Sequence, residues 1–558
     1  MAMISRVGRK SWRARGLVAA MYGLLAAGAV AVLYPLALLA AGSTKSMADL
    51  KEHALVPRFL YDDGALWAKH LEALFNESVD AMGMAFDGEW ATFEAVPLPE
   101  EGAGGGRVDD WDEFLRSGEL PEESFALGWY WAPQAGAFPP ELKGFREWLR
   151  EKYGDLGSLN AAMGTDFDAW YGVFVQPPSL LFPYAREAGT PMAAAFAEYK
   201  AGAAGWHKTV LSVKGFWHRL YLRPRHGRDV AGLNAAWGTA FGSWAEVPLP
   251  ATAEEAEAVG GVPAREDWED FSGRALAERW SRAGEGGGRV LDTPDRRWNQ
   301  WLRATGRVEE GAPDEPMPQR EWAAREFRAR KGEIRREFLW RNFRTVLDYV
   351  GVHGRGIANT AIYCSLAVLL ALLVNPLAAY ALSRGRLKRG TQILFFLMLT
   401  MAFPHMVTQI PVFVLLRRLG LLNTFAALLL PGMASGYSIF LLKGFFDSLP
   451  QELYESAQLD GAGEWTLFWQ LTMRLSTPIL SVIALQAFTV AYANFMYALL
   501  ICQEPKMWTL MVWLYQLQQR SGPGVTQASL MLAAVPTLAV FLACQRVLLR
   551  GIVVPVEK

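Results

Sequence analysis

The sequence predicts an all-α membrane protein in which a six-helix transmembrane bundle carries a large, mostly helical, repeat-containing domain outside the membrane. Three observations predict this class: six long apolar runs, basic residues that alternate between the connections of those runs, and a tryptophan-rich segment with internal repeats. Of the 558 residues, 52% are hydrophobic, which excludes a disordered chain. The formal net charge of −1 excludes the uniformly basic surface of a nucleic-acid-binding protein.

The first element is an N-terminal membrane helix. Residues 1–15 carry several basic side chains and are predicted to be cytoplasmic, whereas 16–42 carry no charge. An uncharged run of this length can cross a hydrocarbon layer of ~30 Å. The alternative is a cleaved signal peptide, but the run exceeds the ~7 to 15 apolar residues of such a peptide. We therefore expect a retained anchor at 16–42.

Five further apolar runs predict the remaining membrane helices, and these are 357–383, 391–416, 423–442, 478–502 and 527–548. Arg384 and Lys443 follow the second and fourth helices, and Arg546, Arg550 and Lys558 lie at the end of the sixth helix or beyond it. Because basic residues are enriched in cytoplasmic connections, this alternation places both termini in the cytoplasm.

The same pattern divides the chain into regions. Residues 350–548 are expected to hold the last five membrane helices, and 549–558 to form a cytoplasmic tail. Residues 43–349, hereafter the insert, are expected to lie on the opposite face of the membrane. A long amphipathic helix over 320–349 would lead from the insert into the second membrane helix.

The cytoplasmic connection at 444–475 has a pattern of its own. Residues 451–459 predict a helix, which Asp460 and Gly461 end because glycine readily adopts a positive φ. A second helix is expected to begin near Glu464. A helix, a tight turn and a second helix form a rigid knob suited to a groove in a partner protein.

This loop resembles the cytoplasmic signature of the inner-membrane permease subunits of binding-protein-dependent ABC importers, in particular the carbohydrate branch of maltose-type permeases. The family signature is Glu-Ala-Ala, followed after three residues by Gly. In this chain Ser456 replaces the middle alanine, and the matching residues are Glu455, Ala457, Asp460, Gly461 and Ala462. The resemblance extends over the first helix and the region from about 357 onward.

The resemblance implies a transport subunit and not an enzyme. Its expected partners are a second permease subunit, a cytoplasmic ATPase dimer that docks on 449–475, an extracytoplasmic substrate-binding protein, membrane lipid and a sugar substrate, with no nucleic acid. ATP and Mg²⁺ would be used by the ATPase, so this chain is expected to bind no cofactor and no metal. The expected location is the bacterial inner (plasma) membrane, with the insert in the periplasm or outside the cell.

A carbohydrate path needs hydrogen-bonding groups and flat aromatic faces within the bundle, because sugars are polar and neutral. The family tends to have Trp-Asn-Glu-Phe on the fifth helix, and this chain differs there. Each candidate could equally form an interhelical hydrogen bond or serve as an interfacial aromatic. The sequence therefore leaves open whether these residues contact substrate or have a structural role. The candidates for the path are Gln409, Ser435, Tyr437, Tyr492, Asn494, Phe495 and Tyr497, with His405 beside Pro404 as a further possibility.

The insert departs from typical carbohydrate permeases, which join their first two helices by a short segment. It holds 17 of the 22 tryptophans, so we expect a folded domain. Residues 159–170 and 233–244 share the pattern Leu-Asn-Ala-Ala-x-Gly-Thr-x-Phe-x-x-Trp, and 82–90 form a degenerate copy. Each copy predicts a short helix that ends at glycine and is followed by an aromatic loop. The copies resemble a helical, noncatalytic segment of some β-galactosidases of glycoside hydrolase family 42.

The leading hypothesis is an importer subunit for an oligosaccharide or glycan fragment, in which the insert assists binding-protein docking or substrate capture. The alternative is a membrane-anchored interaction or sensory protein with a partner- or glycan-binding insert. A glycan-processing enzyme is a third possibility, although the acids show no pattern that would place two carboxylates in a cleft. Tryptophans that could stack on sugars, but could equally form core, are Trp129, Trp131, Trp170, Trp237 and Trp244.

Overall fold

The computed structural model describes residues 12–176, 190–283, 288–385, 387–400 and 404–549. The predicted cytoplasmic ends 1–15 and 549–558 lie largely outside these residues. The described chain forms two compact units. Unit 1 comprises Met1–Thr345 with Ser521–Gln527, and unit 2 comprises Val346–Arg520 with Ala528–Lys558.

Unit 1 is mainly helical. Its described α-helices are α1 (Trp12–Gly42), α2 (Asp63–Leu74), α3 (Val79–Ala85), α4 (Gly106–Arg116), α5 (Pro140–Tyr153), α6 (Leu156–Met163), α7 (Pro191–Gly202), α8 (Val213–Phe216), α9 (Arg223–His226), α10 (Val230–Trp237), α11 (Ala253–Asp270), α12 (Pro294–Ala304) and α13 (Gln319–Val352), the last of which continues beyond Thr345. A π-helical turn, Trp217–Leu222, joins α8 to α9. Helix α11 is kinked at Gly260 and Gly261.

Strands contribute little to unit 1. Strand β1 (Phe125–Leu127) pairs antiparallel with β2 (Lys208–Val210), and β3 (Ser281–Ala283) pairs antiparallel with β4 (Arg289–Leu291). Each strand has three residues, so the packing of this unit depends on its helices.

Helix α2 lies at the centre of one hydrophobic core, and the residues from Leu66 to Leu74 are all buried. Two of them are charged and are paired. The Lys69 ammonium lies 2.7 Å from Asp49, and Glu72 accepts backbone N–H groups from Met47 (3.1 Å) and Ala48 (2.7 Å). A buried charge must be paired to be tolerated, so this helix fixes the chain that follows α1.

The segments 159–170 and 233–244 have the same local geometry. Helix α6 ends at Gly164 (φ 68°) and α10 ends at Gly238 (φ 69°), both in the left-handed region that favours glycine. In the first segment the Asn160 amide accepts the Phe167 N–H (3.0 Å) and donates to the Phe167 carbonyl (2.9 Å). In the second, Asn234 makes both bonds to Phe241 at the same distances.

Most of the tryptophans that could have bound sugars belong to the core. Trp129, Trp237 and Trp244 are buried. Trp131 and Trp170 are partly buried and pack against the core of α5, α6 and α7. These side chains therefore pack helices together.

Unit 2 contains the helices of the C-terminal region. Its described α-helices are α14 (Arg355–Arg384), α15 (Gly390–Thr400), α16 (His405–Arg418), α17 (Phe425–Leu429), α18 (Gly436–Asp447), α19 (Gln451–Leu459), α20 (Glu464–Thr466), α21 (Met473–Leu475), α22 (Thr477–Ala493), α23 (Phe495–Ile501), α24 (Leu510–Gln518) and α25 (Pro523–Leu549), of which the first residues of α25 belong to unit 1.

Three described helices are long and apolar enough to cross a membrane: Arg15–Gly42, Arg355–Arg384 and Pro523–Gln545. Two bent pairs raise the number to five if each pair is one span. These pairs are Phe425–Gly432 with Gly436–Asp447, bent by 50°, and Glu464–Leu475 with Thr477–Ala493, bent by 81°.

The helices differ from the sequence prediction in several places. The expected span 391–416 is divided into α15 and α16, and the expected span 478–502 is divided at Asn494 into α22 and α23. Helix α24 was not predicted, because its nine residues are too few to give the signal of a membrane span.

Helix α14 is the centre of unit 2 and packs against α18 and α22. One hydrophobic cluster includes Tyr363, Tyr492 and Tyr497. A second cluster includes Ala379, Phe446 and Tyr454 and thus connects the membrane helices to the 444–475 loop.

Candidate functional site

The 444–475 loop forms the predicted pair of helices around a tight turn. Helix α19 begins after Pro450 and ends before Asp460, as the sequence predicts. Gly461 follows with a φ of 85°, and the Ala462 N–H then bonds the Ala457 carbonyl at 2.9 Å. The chain reverses within three residues because glycine adopts this backbone conformation at no steric cost.

Most of helix α19 is exposed. Glu455 is exposed and accepts a hydrogen bond from the Gln451 amide at 2.8 Å. Leu459 is 90% exposed and Trp465, just after the turn, is 67% exposed. A helix and turn that present apolar side chains beside a carboxylate offer a surface to a partner.

The apolar and aromatic side chains of α19 differ in burial. Leu453 is 42% exposed and Ala457 is partly buried. Tyr454 is the buried side chain of this helix. The sequence does not indicate which of these three side chains is buried, because the elements packed against a nine-residue helix decide which of its faces is covered.

The candidate substrate path contains a break in a helix. Asn494 lies between α22 and α23, with φ −80° and ψ 60°. Its side-chain amide donates to the Tyr363 hydroxyl at 3.2 Å. Breaks of this kind expose backbone polar groups within membrane proteins, where they can line a cavity or be satisfied by neighbouring helices.

The tyrosines near this break are engaged with the backbone. Tyr492 donates to the Ala533 carbonyl and Tyr497 to the Ala427 carbonyl, each at 2.8 Å. The Phe495 ring lies 5.0 Å from that of Tyr515. These hydrogen bonds are interhelical, as one of the two open readings of the sequence expects.

The remaining candidates lie on or beside the earlier helices α16 and α18. Ser435 caps α18 through a bond from the Ser438 N–H to its hydroxyl (3.3 Å), and its own N–H bonds the Asn375 carboxamide (2.8 Å). Tyr437 is 43% exposed and Gln409 is partly buried. The side chain of His405 lies outside the described residues.

The described part of the chain was predicted to bind no metal, and its potential metal-ligating side chains do not cluster. No group of three or more His, Cys, Asp or Glu side chains in those ranges could hold a metal ion. The cysteines Cys364 and Cys502 are buried and free, and Cys544 is free and partly buried.

Known proteins resemble part of this chain. The family model described as binding-protein-dependent transport system inner membrane component matches residues 367–553. An ABC transporter permease protein of Caldicellulosiruptor sp. is 31% identical over 214 residues, which cover 38% of this chain and 77% of the relative. The lactose transport system permease protein of Rhizobium radiobacter is 30% identical over 184 residues, covering 33% of this chain and 67% of the relative.

A solved structure also aligns with this chain. It is a bacterial ABC transporter involved in the import of the acidic polysaccharide alginate, with a TM-score of 0.33 and 24% identity, and the alignment covers 37% of this chain and 78% of that chain.

Proposed function

Since this chain belongs to the family of binding-protein-dependent transport system inner membrane components, the permease subunits of ABC importers, we propose that it forms half of the membrane path of a carbohydrate importer. The observation that carries the proposal is the loop in which a helix presents Glu455, turns at Gly461 and exposes Leu459 and Trp465. An oligosaccharide or glycan fragment is the proposed cargo.

The proposed topology has six membrane spans with both termini in the cytoplasm. Helices α15 and α16 would together form the third span, and the bent pair α17 and α18 the fourth. Support comes from two basic residues near the ends of the second and fourth spans: Arg384 is the last residue of α14, and Lys443 lies in the C-terminal part of α18. The insert would then lie on the external face of a bacterial inner membrane.

The proposed partners are a second permease subunit, a cytoplasmic ATPase dimer that uses ATP and Mg²⁺, and an external substrate-binding protein. The ATPase would hold the knob formed by α19, the turn and α20 in a groove, so that closure of the ATPase dimer moves the membrane helices. The exposed apolar side chains of the knob support docking, because such patches on soluble surfaces mark protein contacts.

The proposed role of the insert is to dock the binding protein or to capture substrate. Its tryptophans are mostly core, so a binding surface would be built from the exposed loops of a rigid helical unit. The segments 159–170 and 233–244 would be two copies of one structural module, which their equal asparagine hydrogen bonds support.

Docking of the ATPase is tested at Gly461. The Gly461→Val substitution requires a β-branched residue at a φ of 85°, which costs roughly 1–2 kcal/mol or forces the turn to open. We expect the ATPase to be lost on copurification and uptake by proteoliposomes of the reconstituted importer to fall at least tenfold. The assay would use a panel of labelled neutral di- to tetrasaccharides.

A neighbouring glycine supplies the matched control. Gly463 has a φ of −79°, and a Cβ there would meet no atom within 4 Å. The Gly463→Ala variant should therefore keep the ATPase and uptake. Retained ATPase and uptake in Gly461→Val, or in Glu455→Lys, would rule out this loop as the docking site.

A further inference from the structure

Helix α19 packs against the rest of unit 2 through one buried side chain, Tyr454, and one partly buried side chain, Ala457. Tyr454 is 5% exposed, whereas its neighbours Leu453 and Glu455 are exposed. Tyr454 belongs to the hydrophobic cluster that also contains Phe446 of α18 and Leu467, the first residue of the helical turn after α20. A force applied to α19 would therefore reach the membrane helices mainly through this tyrosine.

The hydroxyl of Tyr454 has a defined partner. It lies 2.8 Å from the Thr472 hydroxyl, and Thr472 is fully buried. Thr472 donates its proton to the Leu467 carbonyl at 2.9 Å, so the Tyr454 hydroxyl acts as donor to Thr472. This chain of hydrogen bonds connects α19 to the π-helical turn Leu467–Thr472, which continues toward α22.

The aromatic ring of Tyr454 has a second partner. The Arg384 guanidinium lies 4.0 Å from the ring centroid, within the range of a cation–π contact. Arg384 is the last residue of α14, and its Nη2 also donates to the carbonyls of Phe446 (2.6 Å) and Leu449 (3.1 Å). The cation thus satisfies carbonyls at the C-terminal end of α18, where positive charge is favourable.

Two further hydrogen bonds lie beside this contact. Ser383 donates to the Asp447 carboxylate at 2.6 Å, which connects the ends of α14 and α18. Tyr380 donates to the Glu464 carboxylate at 2.9 Å, which connects α14 to α20. The end of α14 therefore contacts α18, which leads into the knob, and α20 within the knob.

We propose that Arg384, Tyr454 and Thr472 form a transmission joint, in which these positioning residues convert movement of the docked knob into movement of α14 and α18. The inference rests on the proposed function, because it assumes that the ATPase docks on α19. It adds residues outside the family signature and assigns them a role other than docking. In this joint, the contact that transmits movement is made by the Tyr454 ring and the Arg384 guanidinium. The Tyr454 hydroxyl fixes the orientation of the ring through its hydrogen bond to Thr472.

The experiment follows both ends of the joint in the assembled importer. Cysteines at Gln458 on α19 and at Leu387, beyond the end of α14, are labelled separately with bimane in a background whose three native cysteines are alanine. Both positions are exposed. The probe is MgATP with orthovanadate, which requires no knowledge of the sugar, and the change in fluorescence is compared with the nucleotide-free complex.

The joint predicts that Tyr454→Leu and Arg384→Gln keep the ATPase bound and keep the vanadate response at Gln458 within about twofold of the unsubstituted protein. The response at Leu387 should fall at least fivefold. Tyr454→Phe, which keeps the ring, and Arg384→Lys, which keeps the charge, should recover at least half of it. A variant that merely misfolds would lose both responses and the ATPase, and recovery by the conservative variants would be absent.

The matched control is Arg389→Gln, which removes an exposed arginine five residues further along the same connection. Its responses at both reporters should equal those of the unsubstituted protein. Full response at Leu387 in both Tyr454→Leu and Arg384→Gln would overturn the joint, as would equal loss at both reporters in all four substitutions. Failure of the proposed docking is distinct: Gly461→Val would then keep the ATPase and both responses.

Discussion

Asn234 and Asn160 each stabilise a turn of the insert through several hydrogen bonds. Each asparagine accepts a backbone N–H, donates to a backbone carbonyl and accepts from a threonine hydroxyl, which is Thr239 (2.8 Å) or Thr165 (2.9 Å). The amide therefore fixes the chain that leaves the helix through a left-handed glycine. A single polar side chain replaces several contacts that such a short loop cannot make with its own backbone.

The degenerate copy at 82–90 lacks this asparagine, and another residue takes its place. Gly83 stands at the equivalent position, and a Cβ there would come within 2.6 Å of the Arg219 guanidinium. Arg219 donates to the Gly88 carbonyl at 2.8 Å. Asp87 adopts the left-handed conformation (φ 46°) that Gly164 and Gly238 have elsewhere. An arginine from a different helix thus stabilises this turn.

We predict that Asn234→Ala lowers the stability of the insert by about 1–3 kcal/mol, because backbone groups of Phe241 lose their partner. Asn160→Ala should have a similar effect. Thr239→Val removes one of the bonds and should cost less than either. Thermal unfolding of the full chain in detergent, followed by tryptophan fluorescence, measures the shifts. Equal midpoints for Asn234→Ala and Thr239→Val would contradict the assignment.

Among the elements of the insert, the loop before α5 is held by two residues at the end of α2. Asn76 (φ 50°) accepts the Trp131 N–H at 2.8 Å, and Glu77 (φ 63°) accepts the N–H of Gln134 (2.8 Å) and of Ala135 (3.2 Å). Ala135 in turn accepts the Gly522 N–H at 3.0 Å. Glu77 therefore orders the loop that contacts the turn before α25.

The stability that Glu77 contributes through this loop is predicted to depend on pH. Burial raises the pKa of Glu77 to about 7, against the smaller opposing effect of its backbone hydrogen bonds. A carboxyl whose pKa is raised on folding stabilises the protein at low pH, and that contribution is lost as the pH rises through 7. We expect the unfolding midpoint to fall as the pH rises from 4.5, the ordinary pKa of a glutamic acid, to about 7, and to fall less in Glu77→Gln. An identical pH dependence in both proteins would exclude Glu77 as the cause.

The sequence predicts some elements well, for identifiable physical reasons. Helix α19 has the predicted bounds because Pro450 precedes it and a left-handed glycine follows its C-cap. The break at Asn494 was not predicted, because an asparagine in an apolar run gives no sign that its helix is interrupted. Arg384 was read only as a cytoplasmic charge, although it also bonds the end of α18, since nothing in the sequence indicates that these helices meet.

At the scale of the whole molecule, the insert is one compact unit with the start of the last helix. Unit 1 includes Ser521–Gln527 as well as the residues up to Thr345. A Cβ at Gly522 would lie 2.6 Å from the Gln134 carbonyl oxygen, so the two segments are in close backbone contact. The insert is thus packed against a part of the permease sequence that lies far from it along the chain.

Deletion of residues 45–318 tests the role of this unit. We expect the affinity for the substrate-binding protein to fall at least tenfold, because the proposed docking surface is removed, while the ATPase still copurifies because the 444–475 loop belongs to unit 2. Binding to the immobilised importer in nanodiscs measures the first effect. Undiminished affinity would count against docking and leave substrate capture as the role of the insert.

The division of unit 1 also has a consequence for biogenesis. At roughly 5–20 residues per second, the ribosome needs about 15–60 s to translate the chain between α1 and α14. During that time α1 alone would hold the nascent chain in the membrane. Ser521–Gln527 is translated only after α14–α24, so the insert acquires this segment once those helices have been made. Assembly of unit 1 is therefore expected to be a late step that follows translation of the helices from α14 to α24.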